Sequence, residues 1–121
     1  MMMLAAVAAL VAQGSGPGPV TPKVLADARK AFNESLLDYP SARFRDARGN
    51  AFVLCGFVNA KNRMGAYTGW ERFAWVAGSE DPRMLIDDSE GRHDILLDAF
   101  CGEDGLQMKG TDYAERLTSR Q

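Results

Sequence analysis

From Thr21 onward the apolar positions recur at helical spacing. Leu25, Ala28, Phe32, Leu36 and Tyr39 fall three or four residues apart and line one stripe, while Lys23, Asp27, Lys30 and Glu34 fall mostly elsewhere. Thr21 offers a hydroxyl to free amide groups, and Pro22 suits a first helical turn where its missing N–H is not needed. Pro40 closes the segment, because proline disfavours helical geometry at the residue before it. The pattern therefore predicts an amphipathic helix over residues 21–39.

Beyond residue 51 the period falls towards two. Phe52, Leu54, Gly56 and Val58 share one face of a strand and Val53, Cys55, Phe57 and Asn59 the other, so both faces carry apolar groups and the strand is expected to be central. A second run over residues 67–76 is rich in the aromatic and β-branched types that pack on pleated surfaces. Residues 59–65 form a polar loop between the two runs. A short third strand is expected over residues 84–87, between the turn-like Asp81-Pro82 and Asp88-Ser89-Glu90-Gly91. In the segment 94–101, Ile95, Leu96, Ala99 and Phe100 make a helical stripe and Gly102 stands where helices stop; a short helix is the favoured reading, with strand as the alternative. Residues 111–121 turn polar and read as a frayed last turn or a loose tail. The sum is an α+β fold: an N-terminal amphipathic helix on a small antiparallel sheet of about three strands, with a short C-terminal helix.

Residues 1–12 contain no charged side chain and are nearly all apolar. A spanning helix needs about 20 such residues, so this stretch suits the apolar region of a secretory signal, with Ala12 before the cut. No Lys or Arg follows Met1, leaving the terminal amine as the only positive charge; a misplaced start or an apolar tail is the alternative. No Cys stands near the cut, which disfavours a lipid anchor. Residues 13–20, with Gly14-Ser15-Gly16-Pro17-Gly18-Pro19 at their centre, read as a Gly/Pro linker. The expected organisation is a signal peptide over 1–12, the linker, one domain over 21–110 and the tail. A chain of 121 residues has no room for a second domain.

Export changes what the two cysteines mean. Cys55 and Cys101 lie 46 positions apart, and in an oxidising compartment they are expected to pair. A loop of that length contributes about 4 kcal/mol on the chain-entropy model, comparable with the whole stability of a small domain. Two buried free thiols are the alternative; a redox-active pair is disfavoured by the lack of a C-x-x-C spacing.

Charge is uneven along the chain. Residues 43–72 carry six basic side chains (Arg43, Arg45, Arg48, Lys61, Arg63, Arg72) against two acidic, a net of +4, whereas residues 73–121 have five basic against eleven acidic, a net of −6. The basic segment with Tyr67 and Trp70 suits an anionic partner, an envelope protein or an anionic surface polymer; mutual screening on a solvated surface is the plainer account. An overall charge of −2 lacks the basic excess that nucleic acid demands. Within the loop, Asn59, Lys61, Asn62 and Arg63 are rich in donors, and Gly65 and Gly69 permit unusual backbone angles beside Tyr67 and Trp70. These six side chains are the candidate partner-binding set, although asparagines and glycines also serve turns.

The block Ser41-Ala42-Arg43-Phe44-Arg45-Asp46, then Cys55-Gly56-Phe57-Val58-Asn59-Ala60-Lys61-Asn62, then Gly65-Ala66-Tyr67-Thr68-Gly69-Trp70 with Phe73, resembles a family of small uncharacterised bacterial and phage-associated proteins. The resemblance covers about residues 39–73. It implies an exported or envelope-associated domain with a second Cys near the C-terminus; it carries over no established activity.

Catalytic and metal chemistry find little support. His93 is the single histidine, no serine stands in a nucleophile-elbow context, and no phosphate-cradling glycine loop is present. Asp87, Asp88, Glu90, His93 and Asp94 offer hard ligands, but Arg92 falls where a calcium loop requires glycine. No cofactor or metal site is expected. The leading expectation is a periplasmic or secreted, non-catalytic binding module; a small hydrolase or lytic factor using His93, and a purely structural domain, are the alternatives.

Overall fold

A computed structural model of the chain describes residues 18–87, 91–102 and 109–119. The expected signal over 1–12, most of the linker and the Asp88-Ser89-Glu90 part of the turn lie outside the described residues.

Helix α1 runs Pro22–Ser35. The Thr21 hydroxyl accepts the Val24 N–H at 3.1 Å, and Pro22 occupies the first turn. The helix ends earlier than the apolar stripe predicts, because Leu36 adopts extended geometry while its N–H still bonds the Phe32 carbonyl. Tyr39 nevertheless reaches the core, carried there by a single tight turn, Tyr39–Ser41, and its hydroxyl donates to the Leu117 carbonyl.

The sheet has four antiparallel strands, β1 (Arg43–Gly49), β2 (Val53–Asn59), β3 (Glu71–Val76) and β4 (Arg83–Ile86), in the order β1-β2-β3-β4. The α+β class stands and β2 is interior as expected, but the strand count is four rather than three. The added strand, β1, alternates outward arginines with Phe44. Its register slips between Arg45 and Arg48, where Asp46 takes φ 51°. That left-handed residue is held by its own carboxylate, which accepts from Arg45 at 2.9 Å and Arg48 at 3.0 Å. The hydrogen bond from Arg48 leads in holding the Asp46 carboxyl below its ordinary pKa.

Each sheet face packs on helix. On one side Leu54, Val58, Phe73 and Trp75 meet Val24, Leu25, Ala28 and Phe32 of α1. Here Phe32 lies 4.8 Å from Phe44 and 5.0 Å from Phe73, ring centre to ring centre, both edge-on. Gly56 makes this possible, since a Cβ there would stand 2.8 Å from the Phe73 ring and 3.0 Å from Ala47 Cα. On the other side Val53, Cys55, Ala74, Val76 and Leu85 meet Leu97 and Cys101 of α2 (Asp94–Cys101), the short helix favoured for this segment. The Cys55–Cys101 disulfide joins β2 to the end of α2, with Cα atoms 5.9 Å apart.

The C-terminal segment is not a loose tail over its described part. Residues Ala114–Leu117 form a one-turn helix, α3, and Leu117 is 0 % exposed in the α1-side core. The Asp112 carboxylate accepts from both Ala47 N and Ala114 N at 2.9 Å, and Tyr113 N donates to the Ala47 carbonyl at 2.7 Å. The polar composition hid Leu117, the Tyr113 and Ala114 side chains packed beside it, and a carboxylate that ties β1 to the start of α3. No helix among the described residues is long and apolar enough to cross a membrane.

Candidate functional site

Strand pairing sets Arg45, Phe57 and Arg72 side by side across β1, β2 and β3, on the sheet face that also bears the disulfide. The two arginines have opposite fates. Arg72, 15 % exposed, is gripped by α2 and the chain after β4: Asp98 at 2.6 Å, Asp94 at 3.3 Å and Asp87 at 3.8 Å. The hydrogen bond to Asp98 is the main reason its pKa is raised. This cation is a structural clamp.

Arg45 instead lies over aromatic rings, 4.3 Å from the Phe57 centre and 5.0 Å from that of Trp70, and pairs with Asp46. Arg43 lies over Tyr67 at 4.1 Å, and the Lys61 ammonium stands 5.4 Å from the same ring. Tyr67 is itself fixed, because its hydroxyl donates to the Ser41 carbonyl at 2.8 Å. Arg43, Lys61 and Arg63 form no ion pair among the described residues. An aromatic face orients a cation at a gain of about 0.5–1 kcal/mol when exposed, and a guanidinium over a ring keeps its in-plane N–H groups free for an oxyanion. Trp70, 43 % exposed, adds an apolar surface. Beside this strip lies a hollow of about 580 Å³ flanked by Ser41, Arg43, Tyr67 and Thr118.

The six loop residues divide by role. Lys61, Tyr67 and Trp70 come together in the strip. Asn59 and Asn62 build the turn: Asn59 Oδ1 accepts from Gly69 N at 3.0 Å, and Asn62 Oδ1 from Met64 N at 2.9 Å and Ala66 N at 3.2 Å. Gly69, at φ 100°, takes the backbone angle that leads into Trp70. Arg63 is exposed on the turn. The six-residue set omits Phe57, and it omits Arg43 and Arg45 although both belong to the basic segment 43–72; the alternation Arg43-Phe44-Arg45 is the signal that sets the two arginines on one strand face.

His93 precedes α2 and directs Nδ1 to the Ile86 carbonyl at 2.8 Å, so that nitrogen carries the proton. Among the described residues its partner is thus backbone and not a hydroxyl or carboxylate. No group of three metal-ligating side chains occurs among the described residues. No family model, curated protein or solved structure matches the chain.

Proposed function

We propose that the protein is an exported binding module whose basic-aromatic strip (Arg43, Arg45, Lys61, Tyr67, Trp70) holds an anionic polymer of the cell envelope. The observation that carries this reading is the pair of arginines laid over Tyr67, Phe57 and Trp70. They are cations pre-oriented by rings, and Arg43 has no carboxylate of its own among the described residues. A protein partner would call for a larger apolar centre than Trp70 and Met64 supply. Repeated anionic groups on a polymer match cations spread along a strip.

Export rests on the apolar residues 1–12 and on a disulfide whose formation needs an oxidising compartment. The resemblance of the 41–73 block to small exported proteins points the same way. Mass spectrometry of the protein from the periplasm or medium is expected to show an oxidised chain starting after Ala12; a reduced chain retaining Met1 in the cytosol would remove export.

Binding is tested on immobilised polygalacturonate and heparin. Wild type is expected to be retained and eluted by salt, with Arg43→Ala, Lys61→Ala and Trp70→Ala each weakening it about fivefold, or about 1 kcal/mol. Equal retention of all variants rejects the strip. Duplex DNA bound as tightly as the polysaccharides rejects the choice of partner.

A further inference from the structure

The two outer strands of the sheet end differently. Beside β1, Asp112 and Tyr113 occupy both backbone groups of Ala47. Beside β4 no comparable cover occurs among the described residues. The β3–β4 register and the bond from Asp87 N to the Arg72 carbonyl at 2.9 Å fix the alternation along this strand. Arg83 and Leu85 turn their backbone groups inward to β3, and Met84 and Ile86 turn theirs outward. Of these outward groups the Ile86 carbonyl takes His93 Nδ1 at 2.8 Å and keeps a second lone pair, while the others have no partner among the described residues. An edge of this kind is a template for another strand.

Its sequence is complementary to itself. When two β4 strands are set antiparallel about Leu85, Met84 of each lies opposite Ile86 of the other, and every outward donor meets an outward acceptor. Arg83 then lies opposite Asp87 of the second copy. Within its own chain Arg83 holds only the exposed Asp81, at 2.6 Å, and the Asp87 carboxylate, 3.8 Å from Arg72, accepts more than one donor. Centring the pair on Met84 or Ile86 instead sets Leu85 opposite Arg83 or Asp87, so charge selects the register. On the α2 face the exposed Leu96 and Phe100 share an apolar hollow of about 230 Å³ with Arg83 and Leu85 of this strand. The geometry points to a second copy of the chain as the occupant, bound across a two-fold axis at β4 so that two sheets become one. The pairing consumes the edge on both copies and therefore stops at two. It is independent of the basic-aromatic strip.

Sedimentation of the disulfide-bonded chain between about 10 µM and about 1 mM is expected to show one chain giving way to two, the range of a small interface. Across that range the Met84 and Ile86 amides are expected to gain hydrogen-exchange protection, while Leu85, already bonded to β3, stays unchanged. Met84→Pro removes an outward N–H and spares the β3 ladder; it is expected to raise the dissociation midpoint about thirtyfold, one bond being lost on each side of the axis. Arg83→Glu sets like charges together and is expected to raise it about tenfold. Circular dichroism checks the fold of both, and Arg83→Glu alone decides where Met84→Pro disturbs it. A single chain at every concentration overturns the proposal, even where an added extended peptide protects the same amides. Growth beyond two chains does so as well, and so does a dimer that neither variant weakens.

Discussion

The two faces of the sheet are built on different principles. The α1 side is packed with large side chains, Phe32, Phe73, Leu25 and Leu54, most of them fully buried, and with rings meeting edge to face. The α2 side is thin: its helix has eight residues and buries two, Leu97 and Cys101, against small partners such as Ala74 and Val76. Burial of about 25 cal/mol per Å² holds the first face without help. The second is held by a covalent bond at one end of α2 and the Arg72 clamp at the other. The contrast teaches that a small domain can cover a second sheet face with little apolar volume if it fixes both ends of the cover.

That contrast is open to attack by mutation. Phe32→Ala empties the centre of the ring cluster and is expected to cost about 3–5 kcal/mol, unfolding both faces together in a urea titration. Loss of the disulfide, by Cys55→Ser with Cys101→Ser or by reductant, is expected to cost about 2–4 kcal/mol. Hydrogen exchange should then show α2 amides losing protection before those of α1; equal loss would make the two faces one cooperative unit. Arg72→Ala is expected to cost about 1 kcal/mol, discounted for the exposure of Asp94 and Asp98, and the effect should shrink in high salt.

The smallest effect is pH-dependent and belongs to the α1 side. Burial raises the Tyr39 pKa above its ordinary value, with Arg29 opposing. An acid whose folded pKa is raised contributes stability that is fully present below the unfolded pKa, about 10, and is lost as pH rises through the folded value. Alkaline unfolding should therefore begin at higher pH in Tyr39→Phe, read by circular dichroism.

Much of this was legible in the chain because one periodicity dominated each segment. The start of α1, the central position of β2, the Glu71–Val76 part of the run expected over residues 67–76, β4 and α2 all follow from spacing, and the disulfide from two cysteines and an exported reading. Strand β1 was not legible: its outward positions are Arg43, Arg45 and Arg48, its alternation is broken at Asp46, and its apolar side chains number two, Phe44 and Ala47. Missing β1 also hid half of the strip, since Tyr67 and Trp70 find their partners, Arg43 and Arg45, on it. Helix α3 escaped because a single turn has no period to read. The asparagines misled for the opposite reason: Asn59 and Asn62 have the same composition whether they bond a ligand or their own backbone.

The run of backbone and carboxylate contacts from Asp112 and Tyr113 to Ala47 occupies hydrogen-bonding groups along the outer edge of β1. An edge left bare there would recruit strands from other molecules. A chain truncated before Gly110 is thus expected to aggregate at high concentration even where its core survives. Residues 110–113 serve as a guard on colloidal behaviour.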